Sequence, residues 1–241
     1  AQDESVITVQ TPLLHPADIQ EYIDYGLLGF GLSRYSGCWV GFKAVTDTVD
    51  GSASIIVDAA RAMPAIPTDF VIPPDGLNFR FDTALRQEAR LFEQRHGAAQ
   101  AYVRANRIDQ VRLGGDGRYQ LGIVTTGKSY LDVIEALARL GIAAGEAKEL
   151  GIGVYKVGMV YPLEPENIKT FAARCEELLV IEEKRDVIES QLTHILYNLP
   201  ADRRPRLVGK YDETGKPFVS SVNELTPDQI IKIITDRYLR L

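Results

Sequence analysis

From residue 121 onward, short apolar segments alternate with segments of helical periodicity, and this alternation occurs four times. The predicted strands cover residues 121–126, 154–161, 178–181 and 206–209. A strand followed by a helix, repeated in this way, is the pattern of a parallel sheet whose faces are covered by helices. The sequence therefore predicts an α/β fold for the C-terminal half of the chain.

Polar residues and prolines mark where the predicted helices begin. Ser129, followed by Asp132 three residues later, forms a capping-box pattern. Pro165 suits the first position of the second helix, and Asp186 is the predicted N-cap of the third. Thr226, followed by Pro227 and Gln229, predicts the start of the last helix.

The first 108 residues are less regular. We predict a strand at 6–9, a helix from Pro16 that is weakened by Gly26, Gly29 and Gly31, a helix at 38–49 and a strand at 52–57. Residues 63–82 contain four prolines and are predicted to form an extended linker. Asp82 or Thr83 then caps a long helix to about residue 106, interpreted as a surface-crossing strap between lobes. The predicted divisions are 1–58, 59–108 and 109–241.

Residues 122–129 match the phosphate-binding pattern G-x-x-x-x-G-K-[ST] letter for letter. In a phosphate-binding loop, the residues between the two glycines wrap the phosphate with their backbone N–H groups. Here these residues are Ile123, Val124, Thr125 and Thr126, which are all β-branched and favour a strand. We therefore interpret the match as a strand and a turn, and a P-loop nucleotide hydrolase is kept as an alternative function.

Composition excludes several classes of function. The 241 residues carry 33 acidic and 27 basic side chains, which gives a net charge of -6. The sequence lacks the clusters of basic residues interleaved with aromatics that are typical of nucleic-acid binding, so no such binding is predicted. No apolar run is long enough for a membrane span, so we expect a cytoplasmic protein without membrane contact. Cys38 and Cys175 are far apart and the three histidines are scattered, so no metal site is predicted. Because the sequence starts at Ala1 without Met, we expect a fragment or a processed chain.

Several segments together resemble thiamine-diphosphate-dependent 2-oxoacid:ferredoxin oxidoreductases, and most closely the indolepyruvate ferredoxin oxidoreductases. They include the run Ser33-Arg34-Tyr35-Ser36-Gly37-Cys38-Trp39 and extend over residues 33–43, 122–132, 157–163, 180–185 and 207–213. The resemblance implies that residues 1–58 are the end of a pyrimidine-binding domain. It also implies that residues 109–241 form a transketolase C-terminal-like, Rossmann-like domain.

The resemblance implies oxidative decarboxylation of aryl-pyruvates to acyl-coenzyme A, with ferredoxin as electron acceptor. Thiamine diphosphate, Mg²⁺ and Fe–S clusters are implied for the full enzyme, which is expected to be a homo-oligomer. The family's catalytic acid and cluster cysteines have no counterpart here, so we assign no catalytic residue and no cofactor to this chain. We expect an inactive structural domain, with exposed apolar surface on about the first fifty residues where the remaining domains or subunits pack.

Candidate site residues lie where predicted parallel strands end. Thr126, Gly127, Lys128 and Ser129 could hold an anion such as a phosphate of coenzyme A, because a helix N-terminus and a lysine meet there. Glu182, Glu183, Lys184 and Arg185 are expected beside them, as an interface or a solvated edge. A free-standing anion-binding or regulatory module is therefore a further alternative.

Overall fold

The computed structural model describes residues 2–58, 60–78 and 81–241, and the chain divides into two compact units. The first unit comprises Ala1–Asp109 and Gly158–Glu164, and the second comprises Gln110–Val157 and Pro165–Leu241. The predicted division at residues 58 and 108 stays a prediction.

The first unit combines helices with a small sheet. Its helices are α1 (Gln2–Thr8), α2 (Ile19–Ser36), α3 (Thr46–Val49), α4 (Ala84–Arg90) and α5 (His96–Ala105), with the π-helical segment Leu91–Arg95 between the last two. Its short strands are β1 (Leu13–Leu14), β2 (Gly41–Phe42) and, later in the chain, β6 (Met159–Tyr161). Strand β1 pairs parallel with β2 and antiparallel with β6.

Helix α2 runs through all three of its glycines. Asp18 caps it by accepting a hydrogen bond from the Glu21 N–H at 2.8 Å, and Gly37 ends it in the left-handed conformation. A β-carbon at Gly31 would lie 2.2 Å from the Tyr102 hydroxyl, so this glycine lets α2 approach α5 closely. Packing against α5 therefore outweighs the low helix propensity of glycine that weakened the predicted helix.

Three predictions for this unit are wrong. Residues 6–9 belong to α1 and the turn after it, where Asp3 and Glu4 complement the helix dipole, so they form no strand. Residues 38–49 contain β2 and the short α3 instead of one helix, because residues 41–42 pair with β1. Residues 52–57 form no strand, and Gln20 binds the backbone N–H and C=O of Ile56 in place of a neighbouring strand.

The long helix that follows is confirmed in part. Thr83 caps α4, accepting from the Arg86 N–H at 3.4 Å, and the helical path continues to Ala105 through the π segment. Ala98, Ala101 and Tyr102 are fully buried, so α5 is a core helix of its unit and not a surface strap. Residues 63–82 show neither helix nor strand where they are described; Phe79 and Arg80 lie outside the described residues.

The second unit is built on a sheet that is parallel except at one edge. Its described strands are β3 (Gln110–Leu113), β4 (Tyr119–Thr126), β5 (Ile152–Val157), β7 (Cys175–Ile181) and β8 (Arg206–Val208), in the spatial order β3-β5-β4-β7-β8. Only β3 is antiparallel to its neighbour within this described sheet. The predicted parallel α/β fold is confirmed, although the predicted strand 154–161 divides between β5 and β6, and β3 was not predicted.

Helices cover this sheet on its faces. They are α6 (Gly127–Arg139), α7 (Ala144–Glu149), α8 (Pro165–Ala172), α9 (Val187–Leu196) and α10 (Pro227–Tyr238). Val133 and Leu137 of α6 and Ile230 of α10 join one core cluster with Ile123 and Leu179 of the sheet. The predicted starts at Pro165 and Thr226 are confirmed, and Thr226 forms a complete capping box with Gln229.

No helix in the described part of the chain has both the length and the apolar character that crossing a bilayer requires.

The ring of Tyr119 occupies the space beside Gly153, where a side chain at that position would lie. A β-carbon at Gly153 would lie 2.9 Å from three atoms of the Tyr119 ring, closer than real contacts allow. The ring also lies 5.3 Å, centroid to centroid, from Phe171. Glycine at 153 therefore lets an aromatic ring lie flat over β5 inside the core.

A buried ion pair fixes the last helix to the sheet. The guanidinium of Arg237 in α10 donates two hydrogen bonds to the carboxylate of Glu177 in β7, and both side chains are almost completely buried. Arg237 Nη1 also lies 2.6 Å from Glu213 Oε2. Hydrogen bonding to Glu177 is the main cause that raises the pKa of Arg237, so the guanidinium stays charged.

Arg237→Met is expected to lower the free energy of unfolding by about 3 kcal/mol or more, because it leaves the Glu177 carboxylate buried without its bidentate partner. The matched control is Arg240→Met, since Arg240 lies in the turn after the same helix but is half exposed, and it pairs with the exposed Asp236 at 2.7 Å and with Asp212 at 3.5 Å. That control should cost less than about 1 kcal/mol. Urea unfolding of both variants measures the difference, and equal losses would contradict the expectation.

Candidate functional site

The C-terminal edge of the parallel strands brings together the predicted site residues of the second unit. Parallel register sets Thr125 of β4 beside Ile181 of β7, and Leu179 of β7 beside Val208 of β8. The residues after these strands therefore share one edge, where ligands of α/β sheets usually bind. Lys128 Nζ lies 3.8 Å from Glu183 Oε1, which confirms that the two predicted groups of residues are neighbours.

The segment between the two glycines of the phosphate-binding pattern is a strand. Residues 122–126 belong to β4 and pair with β5 on one side, and residues 122–125 pair with β7 on the other. A β-carbon at Gly122 would lie 2.4 Å from Cys175 Sγ, so this glycine serves close packing inside the core. Because these backbone groups are committed to the sheet, they form no phosphate loop, and the P-loop interpretation is wrong.

Helix α6 begins earlier than predicted. Gly127, with a φ of 51°, is its first residue, and Thr126 is its N-cap. The Thr126 hydroxyl donates to the Val157 carbonyl at 2.8 Å, so it does not cap the helix through its side chain. The predicted capping role of Ser129 is wrong, because this buried residue already lies in the first turn.

Lys128 is surrounded by carboxylates. Its Nζ lies 3.1 Å from Asp132 Oδ2, forms an ion pair with Glu224, and donates to the Leu225 carbonyl at 3.1 Å. Burial is the largest single effect and lowers the pKa of Lys128, but the hydrogen bonds to Glu224 and Asp132 and the charges of Asp132 and Glu183 together outweigh it, so the net direction is upward. An anion at Lys128 would meet Asp132, Glu183 and Glu224, so the local field opposes the predicted anion site, which stays a prediction.

Glu182 is a buried helix cap. Its carboxylate accepts hydrogen bonds from the Ile188 N–H, at 2.9 and 3.1 Å to its two oxygens, and from the Glu189 N–H at 2.9 Å. Asp186 occupies the N-cap position of α9 but makes no capping bond through its side chain. Glu182 therefore performs the capping that was predicted for Asp186, and the expectation of a solvated edge is wrong at this residue.

Burial dominates the ionisation of Glu182. It raises the pKa of Glu182 from 4.5 to about 7, against the opposing effects of the backbone hydrogen bonds and of Lys210. Glu183 also has a structural partner, since it accepts from the Leu225 N–H at 3.0 Å. Lys184 and Arg185 are exposed, and Lys184 adopts a φ of 62°. An interface role for these four residues stays a prediction.

Lys210, at the end of β8, was not recognised as a site residue. Its Nζ donates to the backbone carbonyls of Glu182 and Ser220, and its N–H donates to Glu189 Oε2 at 2.8 Å. Burial lowers the pKa of Lys210 and raises that of Glu189. The sequence did contain a signal for Lys210 as a site residue, because it directly follows the predicted parallel strand 206–209, as Glu182 follows the predicted strand 178–181.

The described residues do not fit a Mg²⁺-diphosphate group at this edge. Diphosphate would face an excess of carboxylates, and the carboxylates of Glu182, Glu183 and Glu224 are each already engaged by a backbone N–H or by Lys128. Within the described ranges, no group of three or more His, Cys, Asp or Glu side chains has a geometry that could hold a metal ion. Cys38 and Cys175 are both buried thiols.

Comparison with known proteins gives a family and a fold. The model of the indolepyruvate oxidoreductase domain family matches residues 111–240, more than half of the chain. No curated protein matches the sequence. A 2-oxoglutarate:ferredoxin oxidoreductase from Magnetococcus marinus, solved with 2-oxoglutarate, coenzyme A and succinyl-CoA bound, is similar with a TM-score of 0.55 and 16% identity, over 95% of this chain and 42% of that chain.

A split-gene transketolase, solved as an inactive β4 tetramer, has a TM-score of 0.47 and 13% identity, over 95% of this chain and 58% of that chain. The chain thus spans less than two thirds of the length of either structure. At 16% identity, the likeness to the oxidoreductase shows the α/β fold.

Glu182→Gln should remove a pH dependence of stability. Because the pKa of Glu182 is raised on folding, its contribution to stability is fully present below pH 4.5 and is lost as the pH rises through about 7. Between roughly pH 5 and pH 8 the free energy of unfolding of the wild type should therefore fall by about 3 kcal/mol relative to that of the Gln variant.

Urea unfolding across this pH range measures that loss, with Glu166→Gln as the control because the Glu166 side chain is mostly exposed. The control should follow the wild type. Parallel curves for the wild type and Glu182→Gln would show that Glu182 does not titrate there.

Proposed function

Because the chain belongs to the indolepyruvate oxidoreductase domain family, we propose that it is a structural and inter-domain part of a thiamine-diphosphate-dependent 2-oxoacid:ferredoxin oxidoreductase. In the proposed reaction, an aryl-pyruvate loses its carboxylate as CO₂, its acyl group passes to coenzyme A, and the electron pair passes to ferredoxin. The observation that carries this proposal is the family match over residues 111–240. Thiamine diphosphate supplies the carbanion chemistry when it is bound.

The sheet edge supports a role without catalysis by this chain. Glu182 caps α9, Lys210 joins two loops, and Lys128 neutralises carboxylates from three segments. These contacts lie within one unit and hold its loops in place. We therefore assign the reacting groups, the Mg²⁺-diphosphate site and the Fe–S clusters to other parts of the enzyme.

Exposed apolar side chains in the first unit support an inter-domain role. Phe30 and Trp39 are exposed, as expected for about the first fifty residues, and Val57, Val71 and Phe81 are exposed further along. Apolar side chains that leave so much surface in water are typical of interaction sites. We propose that the remaining domains of the oxidoreductase cover part of this surface.

The chain alone should reduce no viologen dye with indolepyruvate, coenzyme A, thiamine diphosphate and Mg²⁺. Co-expressed with the rest of its oxidoreductase, it should support dye reduction that requires both indolepyruvate and coenzyme A, because the reacting groups are then supplied. The matched control is the rest of the enzyme without residues 1–241. Dye reduction by the chain alone, or full activity of the control, would overturn the proposed role.

Mg-ATP should give no saturable heat of binding in titration calorimetry, because residues 122–126 are committed to β4. Coenzyme A, titrated in the same way, tests the anion-binding alternative at Lys128. Saturable binding of either ligand that is lost in Lys128→Ala but kept in Lys169→Ala would contradict this expectation. Lys169 is a suitable control because it is a partly exposed lysine of α8 whose ion pair is with one carboxylate, that of Glu166, three residues earlier.

A further inference from the structure

A nearly buried arginine lies where three segments of the first unit meet. Arg95 is the last residue of the π-helical segment and is 7% exposed. Its Nε donates to the Leu77 carbonyl at 2.9 Å, and its Nη2 donates to Gln87 Oε1 at 3.4 Å. A β-carbon at Gly37 would lie 3.3 Å from Nε, so the end of α2 packs on the guanidinium. The groups that hold Arg95 in place are therefore all neutral.

The positive charge of Arg95 has no carboxylate partner among the described residues. Arg90 is less buried, yet its Nη2 lies 2.6 Å from Asp75 Oδ2. For Arg95, no Asp or Glu of the described ranges lies within ion-pair distance, and the residues outside those ranges include no acidic side chain. Buried arginines in folded proteins are almost always paired. Arg95 is thus an exception that calls for an anion.

The neighbouring groups of opposite charge do not supply that anion. Asp82 lies 3.5 Å from Arg90 Nη2 and acts on Arg95 only through space. Burial raises the pKa of the Cys38 thiol, so this neighbour is neutral at pH 7. The C-terminus of α2 contributes only a partial negative charge. Within the described part of the chain, Nη1 of Arg95 makes no hydrogen bond.

The π-helical turn brings a second cation to the same place. The His96 N–H donates to the Leu91 carbonyl, five residues earlier, and this wider turn sets Arg90 and Arg95 on one side of the helix. Burial is the main cause that lowers the pKa of Arg95, and the charge of Arg90 lowers it further. Single π-helical turns inside α-helices are frequent at functional sites. Here the turn concentrates positive charge beside the unpaired guanidinium.

We propose that Arg95 binds a small oxyanion, either a carboxylate or a phosphate group, at the end of its guanidinium formed by Nη1 and Nη2. That end presents two N–H groups in parallel, the geometry that both kinds of anion accept. Leu77 occupies Nε, whereas the contact of Nη2 with Gln87 is long, so this end is the one left for a ligand. The inference goes beyond the proposed function, since it concerns a site that the reaction does not require.

The thermal unfolding midpoint of the chain, followed against anion concentration, tests the proposal. Sodium phosphate and sodium acetate are added separately at constant ionic strength. At least one should raise the midpoint along a saturating curve, by about 4 °C at roughly twenty times its dissociation constant, because it binds only the folded chain. A rise with phosphate alone assigns a phosphate ligand, a rise with acetate alone assigns a carboxylate, and a rise with both assigns a site for either.

Two variants of Arg95 show whether the anion binds there. Arg95→Met should abolish the rise, and it leaves no carboxylate buried without a partner. Arg95→Lys keeps the charge but not the planar fork, so it should bind the anion about tenfold more weakly. The lysine variant decides the case if the methionine variant does not fold. The matched control is Arg139→Met, which removes an exposed arginine of α6 and should respond like the wild type.

The proposal is overturned if neither anion gives a saturating rise in the wild type. A rise that persists in Arg95→Met, or an affinity that is unchanged in Arg95→Lys, overturns it as well. None of these outcomes touches the proposed function, which is measured by dye reduction.

Discussion

The burial of β4 on both faces is the constraint on which the second unit depends. Seven of its eight residues are buried, and Gln120 is the exposed one. Parallel strands pair with it on both sides, so its register fixes where β5 and β7 end. Because those ends define the sheet edge, the positions of Lys128 and Glu182 follow from the packing of this one strand. If residues 122–126 formed a phosphate loop, their side chains could not remain buried in this core.

Local signals in the sequence were sufficient for the buried parallel strands and the last helix of the second unit. The buried parallel strands are apolar runs, and the start of α10 was clear because Thr226, Pro227 and Gln229 act within one turn. Ser129 failed as a cap because Gly127 adopts a left-handed φ and starts α6 two residues earlier. Strand β3 was missed because its four residues are half polar and pair only through tertiary contact with β5.

The first unit and the site depend on contacts that periodicity does not reveal. Strands β1 and β2 are two residues long, too short for an alternating pattern. Glu182 was expected at an interface or a solvated edge because nothing in the sequence shows that the chain folds back so that the Ile188 and Glu189 N–H groups reach its carboxylate. That Lys128 and Glu183 are neighbours could be predicted, because both follow parallel strands whose ends lie at the same edge of the sheet. The number of carboxylates around Lys128 could not, since Glu224 arrives from a distant loop.

The contact between Tyr119 and Gly153 has a consequence for how the sequence can vary. The ring occupies the space that any side chain at 153 would need, so neither position can change its size independently. A larger residue at 153 is compatible with the fold only if residue 119 becomes small. Losing the ring would also remove the surface on which Arg174 stacks, 4.8 Å from the ring centroid. Substitutions at these positions of β4 and β5 are therefore expected to occur as a compensating pair during evolution.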